Sequence, residues 1–349
     1  MVREEQRIPT CQPVNPKGYE GGIEARYDTV SEGETFLGYT TVGQDQWALT
    51  VTALERDFED YEIPDDAQHD DDDEHSGSTL ENSFFESSQY SIGGSWFFTP
   101  DNRLSFSYSR YDSEYGIPGH GHSDHHGGGA PDPGNDEEES VAIDLERDRY
   151  DMELELVDPA EWITALRVRF AYTDYEHEEY SEDESTTFER DGWEFRTEAA
   201  HTPWWIVDEG VIGTQASDSD FEIIGDEAFV DPSTTQTQAV FATQHIHNGD
   251  FHYEFGGRIE RADIDIDNRN LDDYDELAFS FAASAIWNID EINSLSLATS
   301  SPPCSCSCSC SCSSTGHFPV TWASATLASD CRAWAGSFTS TSNSWPIST

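Results

Sequence analysis

Leu104-Ser105-Phe106-Ser107-Tyr108-Ser109 is the stretch whose reading decides the fold. Large apolar side chains alternate with serine, and a period of two belongs to a strand with one apolar face. The chain then enters Tyr115-Gly-Ile-Pro-Gly-His120-Gly-His122-Ser-Asp124-His125-His126. Its Gly and Pro residues exclude a helix or a strand interior and predict the tip of a long loop.

Outward from this point the same alternation recurs. Met152, Leu154 and Leu156 alternate with Glu153 and Glu155, and Leu166, Val168, Phe170 and Tyr172 with Arg167 and Arg169. Phe251, Tyr253 and Phe255 alternate with His252 and Glu254, and the run Leu277, Phe279, Phe281, Ala283, Ala285, Trp287 continues it. No convincing period of 3.6 is present, so the expectation is all-β. The connections fall into two kinds. Pro100–Arg103, Asp158–Glu161, Asn248–Asp250 and Asn288–Glu291 are short and rich in Asn, Asp, Gly and Pro, which suits tight hairpins. A slightly longer aromatic turn is expected at residues 201–210. The long connections are expected at about residues 59–86, 114–140, 176–190, 220–235 and 264–275, carrying most of the acidic runs.

The chain has 349 residues, with 71 acidic against 17 basic groups and a formal charge of −54. That balance repels nucleic acid and attracts cations. Ten Trp, 14 Tyr and 19 Phe in periodic positions argue against a disordered acidic chain. Residues 1–20 have no apolar core of a signal peptide, and no run approaches the ~18 apolar residues of a membrane helix. Hydropathy is blind to membrane β-barrels, however. Short turns at one end, long loops at the other and aromatics near the short turns (Trp96, Phe97, Phe98, Trp162, Trp204, Trp205, Trp287) are the pattern of such a barrel. A soluble β-sandwich also alternates, but with its apolar face inward, so the buried face of the strands discriminates the two. About thirteen strands are expected between Tyr19 and Thr299, an incomplete antiparallel transmembrane β-barrel with long acidic and His-rich extracellular loops, since a closed bacterial barrel normally has an even number.

Three segments are expected: a linker at 1–18, the partial barrel at 19–299, and a tail at 300–349. The tail holds one acidic residue, Asp330, and six of the seven cysteines, five of them in Ser-Cys repeats from Cys304 to Cys312. Charge and alternation stop together there, which reads as out-of-frame sequence.

The Tyr115–His122 motif with its His-rich continuation, followed by Val141-Ala-Ile-Asp-Leu-Glu-Arg-Asp-Arg-Tyr-Asp151, resembles the barrel of TonB-dependent outer-membrane receptors, and most of all their zinc-uptake type. Arg7-Ile-Pro9 followed by Gly21–Tyr27 is similar to the family's approach to its first barrel strand. The resemblance implies an outer-membrane location, a barrel around an N-terminal plug, and coupling to an inner-membrane TonB complex. The chain departs from that pattern: it shows no signal peptide, plug, coupling segment or terminal aromatic residue, so by itself it is not expected to perform gated uptake.

Two clusters are candidate metal sites. His120, His122, Asp124, His125 and His126 present several imidazoles at spacings of two and three, and neutral imidazole suits zinc and similar ions. His69, Asp70, Asp73 and His75 combine carboxylates with flanking imidazoles and equally fit a solvated acidic run. His245, His247 and His252 flank the Asn248-Gly turn at the short-turn end and read as polar turn residues. No nucleophile elbow, phosphate loop or Cys-x-x-Cys is present, which argues against an enzyme. The expected function is therefore uptake of a divalent cation, zinc first, as transported ligand, with no organic cofactor. The expected partners are outer-membrane lipid and, for a full-length receptor, the TonB complex. A receptor for a siderophore or other metal chelate, and a secreted acidic metal-binding β-protein, are the alternatives.

Overall fold

The computed structural model describes residues 18–64, 78–118, 140–181, 184–225, 228–268, 271, 273–289 and 293–305. The strands are β1 Gly18–Tyr27, β2 Glu34–Gln44, β3 Trp47–Phe58, β4 Tyr61–Glu62, β5 Thr79–Leu80, β6 Phe85–Thr99, β7 Asn102–Ile117 and β8 Val141–Ala160. They continue as β9 Ile163–Tyr180, β10 Ser185–His201, β11 Glu209–Gly225, β12 Ser233–Asn248, β13 Phe251–Ile266, β14 Tyr274–Asn288 and β15 Ser294–Ser305. Thirteen form one antiparallel meander in sequence order, with β4 and β5 set apart as a two-stranded ladder. The sheet has two edges, β1 and β15. No helix among the described residues is long and apolar enough to cross a membrane.

Which face is buried separates barrel from sandwich, and here the polar face is the buried one. Ser105 is 1% exposed and Ser107 3%, whereas Phe106 between them is 52% exposed. Register carries this inversion from strand to strand. Phe106 lies opposite Met152, which lies opposite Phe170, which lies opposite Phe195. On the other face Ser105 lies opposite both Ser95 and Glu153. Burial of small polar side chains on one face means that the sheet curls around that face. The apolar face then points outward, which water does not tolerate and lipid requires. On β8 the outward apolar residues run from Leu156 to Tyr150, about 20 Å along the strand at ~3.4 Å per residue, close to the apolar band of an outer-membrane barrel. The secreted soluble β-protein is overturned by the same observation, because it needs its apolar face inside.

Aromatic residues bound the outward band at both ends. At the short-turn end Trp96, Trp162, Trp204, Trp205 and Trp287 are all exposed, Trp205 at 90%. Trp96 and Phe98 pack with ring centroids 5.5 Å apart. Phe97, expected among them, is buried, because it pairs with Arg103 on the inner face. At the other end Tyr108, Tyr150 and Tyr172 line up across β7, β8 and β9, with centroids 5.0 and 6.4 Å apart. Trp193 continues the row on β10.

Strands are longer, and several loops shorter, than the expectation. β8 has 20 residues and β9 has 18, against roughly 9–11 needed to span a bilayer. The segment 176–190, expected as a long loop, is mostly the paired ends of β9 and β10, joined through 181–184. Four acidic residues placed in loops, Glu176, Glu189, Asp220 and Glu222, therefore stand on strands above the tyrosine row. Asp148, Asp174, Asp191 and Asp220 face one another across β8 to β11. Glu146, Glu176, Glu189 and Glu222 form the next row. The apolar alternation reverses there: Leu145, Phe188 and Ile223 stand in line through His177 on the inner face, while the acidic rows point outward.

β15 continues past Ser300 to Ser305, with a register shift against β14 between Phe279 and Phe281. The expected linker up to residue 17 and the tail from 306 to 349 lie outside the described residues.

Candidate functional site

The inner face carries a continuous belt of charge. Arg103 on β7 donates to Glu155 Oε2 and to Glu153 Oε1, both at 2.7 Å. Arg167 Nε donates to Glu155 at 2.8 Å, and Arg169 Nε to Glu153 at 3.1 Å. Arg169 reaches Glu198 on β10 at 3.5 Å, and Arg196 donates to that same carboxylate at 2.7 Å. Gln215 Oε1 on β11 accepts from Arg196 at 3.4 Å and from Arg258 at 3.2 Å, and Arg258 Nε donates to Glu260 at 2.8 Å. Phe241 on β12 fills the remaining position, its ring 4.5 Å from the Arg196 guanidinium and 6.0 Å from that of Arg258. The belt crosses β7 to β13 and faces the polar interior of the curl.

Glu153, Glu155, Arg167 and Arg169 are the inward residues expected from alternation. Arg103, Arg196, Glu198, Arg258 and Glu260 were missed. For four of them the signal is Arg-x-Glu at i and i+2, which puts both charges on one strand face: Arg196-Thr-Glu198 and Arg258-Ile-Glu260. Arg149-Tyr-Asp151, one step above the belt, repeats it, with Arg149 Nη2 donating to Asp151 at 2.9 Å. A buried charge is tolerated only with partners, and the belt supplies each guanidinium with at least one carboxylate.

At the far end, the bases of the two expected metal loops are tied together. Asn82, which follows the 65–77 segment, has φ 59°. Its Nδ2 donates to the carbonyl of Ile117 at 3.0 Å and to that of Val141 at 2.7 Å. Those two carbonyls sit on either side of the segment 118–140. Gly116 packs so tightly beneath Asn82 that a Cβ there meets the Asn82 side chain and backbone at 2.3–2.4 Å, and Gly116 N donates to Phe84 O at 3.2 Å. The β4–β5 ladder closes the other base, with Ile63 N donating to Ser78 O at 2.8 Å. Ser83 braces it, its hydroxyl accepting from Tyr61 N at 2.8 Å and donating to Leu80 O at 2.6 Å.

The expected ligands themselves, His120, His122, Asp124, His125 and His126 and also His69, Asp70, Asp73 and His75, lie outside the described residues. What the structure shows is that both segments leave from adjacent positions at the same end of the sheet. Among the described residues no three His, Cys, Asp or Glu side chains are gathered in an arrangement that holds a metal ion.

The family model "TonB dependent receptor-like, beta-barrel" matches residues 77–301. No curated protein matches the chain by sequence. Among solved structures, the FrpB iron transporter from Neisseria meningitidis superposes with a TM-score of 0.63 at 11% identity, over 81% of this chain and 46% of its own. The copper transporter OprC gives 0.60 at 10% identity, over 79% and 43%. The ferric-catecholate import receptor Fiu from E. coli K12 gives 0.51 at 10% identity, over 83% and 55%. The chain spans about half the length of each of these proteins. With a matching barrel model over most of its strands, an apolar face turned to lipid and a charged interior, the chain belongs to the TonB-dependent receptor-like β-barrel family of the bacterial outer membrane.

Proposed function

We propose that this barrel serves a receptor that takes up a metal, with zinc as the ion captured by the His120–His126 and His69–His75 segments. The observation that carries the reading is the Asn82 clamp. It ties the base of one histidine-bearing segment to both ends of the other, so the two segments leave the sheet from one place. The acidic rows at the same end of the sheet raise the local concentration of cations. Passage through the barrel is coupled to a TonB complex in the full receptor, as the family implies. The test is zinc titration of the detergent-solubilised chain. Replacing His120, His122, His125 and His126 by Ala removes the tightest zinc site. Unchanged zinc binding in that variant overturns the reading.

A second reading is uptake of a metal chelate. It is favoured by neighbours described as a ferric-catecholate import receptor and an alcaligin outer-membrane receptor. Anionic ferric chelates are repelled by a chain of formal charge −54, which places this reading second. Saturable binding of a ferric catecholate, together with unchanged zinc binding in the quadruple variant, puts it first.

A further inference from the structure

We propose that His177 is a proton-sensitive latch at the long-loop end of the sheet: as a neutral ring it holds the ends of β8, β9 and β10 together, and as an imidazolium it releases them. His177 stands on the inner face of β9, opposite Leu145 on β8 and Phe188 on β10. It lies about 17 Å beyond Tyr172 at ~3.4 Å per residue, clear of the outward apolar band that the tyrosine row closes. The imidazole stacks on the Phe188 ring, with centroids 4.4 Å apart and planes 5° from parallel. Tyr175 meets it edge-on at 5.5 Å. Ile223 stands opposite Phe188 on β11 and is 7% exposed, which extends the apolar contact. The side chain of His177 itself is 19% exposed.

The two ring nitrogens have unequal surroundings. Nε2 lies 3.7 Å from Glu179 Oε1. Nδ1 is buried and has no hydrogen-bond partner among the described residues. A neutral imidazole suits this place, with its proton on Nε2 towards Glu179 and only a lone pair at Nδ1. An imidazolium does not, because both nitrogens are then donors and a buried donor without an acceptor is costly. The face of Phe188 attracts a cation but supplies no acceptor. The neighbouring inward positions hold Arg147 on β8 and Arg190 on β10, both opposite Tyr175, and Tyr111 and Tyr115 on β7. Two guanidinium groups therefore oppose a further positive charge, and Glu179 alone favours it. Burial outweighs Glu179 and pushes the imidazole below the usual histidine range. Neutral His177 contributes stability above the unfolded histidine value, about 6.5, and that contribution is lost as pH falls through the folded value. The outward face responds to acid with the opposite sign. Glu176 lies between Glu146 and Glu189, and Asp144 lies opposite Glu178, so protonating these carboxylates relieves repulsion. The long loops of an outer-membrane barrel are extracellular, so the latch reads the pH of the external medium.

The inference is independent of metal capture by the loops. Its test is amide hydrogen exchange of the full chain in detergent micelles, read by mass spectrometry as protection factors corrected for the intrinsic pH dependence of exchange. Lowering the pH from about 7.5 to about 5, across the histidine range, is expected to reduce protection several-fold over residues 176–190 and to leave the belt around Arg196 and Glu198 unchanged. His177→Phe keeps a stacked ring without the titration and is expected to hold its protection across the same range. His177→Gln lacks the stack and is expected to be less protected at neutral pH, with no further loss in acid. A wild-type chain whose protection at 176–190 stays level or rises in acid overturns the proposal whatever the variants do. An equal acid loss in the wild type and both variants assigns the response to other groups and overturns it as well.

Discussion

At the residue scale, single contacts at the loop bases have measurable worth. Asn82 donates to two carbonyls at once, and a hydrogen bond of this kind contributes about 1 kcal/mol net. Asn82→Ala is expected to destabilise the loop bases by about 2 kcal/mol, seen as faster amide exchange in the residues flanking Ile117 and Val141. Gly116→Ala reaches the same state from the other side, by pushing Asn82 out of its seat. A different residue governs pH behaviour at the β1–β2 turn. Asp28 accepts from the N–H groups of Val30 at 2.9 Å and Ser31 at 3.2 Å. These bonds hold its carboxyl below the ordinary range. A depressed folded-state pKa stabilises above the unfolded value, about 3.9, and that contribution is lost as pH falls through the folded value. Amide exchange at Val30 and Ser31 should therefore be slower than in Asp28→Ala at neutral pH, and the difference should vanish in strong acid.

At the scale of the element, the same ion-pair chemistry has unequal consequences. Arg103 is 7% exposed, and its two carboxylate partners belong to the next strand. Removing the guanidinium leaves Glu153 and Glu155 half-buried, each with only its β9 arginine. Arg103→Ala is expected to cost roughly 3 kcal/mol, read as a lower midpoint of denaturant unfolding in micelles. Arg261 also meets two carboxylates, Asp263 and Asp275, but its side chain is 58% exposed. Solvent screens that pair, so Arg261→Ala is expected to leave the midpoint where it was. Equal loss in the two variants contradicts the inner-face assignment of the belt.

For the whole molecule, the outward face sets the environment. Met152 stands mid-band between Phe106 and Phe170. Met152→Lys is expected to cost about 2–4 kcal/mol in a bilayer, measured by refolding into lipid vesicles. Above the band, rows of like charge face each other directly, an arrangement that destabilises a sheet. Arg110 partly relieves it, bridging Asp112 at 2.7 Å, Glu146 at 2.8 Å and Asp148 at 3.5 Å. Salt screens such exposed charges over a Debye length of about 10 Å at 0.1 M. Thermal stability in micelles is therefore expected to rise as sodium chloride increases from low ionic strength to 1 M. A fall on added salt means that the rows do not repel as drawn.

The sequence by itself determined the fold class, the strand count of the main sheet and the outward face of mid-strand residues such as Phe106, Met152 and Phe170. Alternation is local, and Leu104–Ser109 already contains it. It also marked the short turns, since Asn248-Gly249 needs only its own dihedral angles. Only the tertiary structure decided how far the strands run and what meets across them. The upper ends of β9 and β10 carry Glu and Asp on the outward face while Phe188 turns inward onto His177, so the outward apolar stripe does not continue there and pairing shows that they are strands. Asn82 lies 35 and 59 residues from the carbonyls it holds. Gln215 joins arginines 19 residues before it and 43 residues after it. The same reason explains the turn-end histidines: His247 and His252 meet only because the β12–β13 hairpin pairs them, and Asp208 reaches His247 from a different turn.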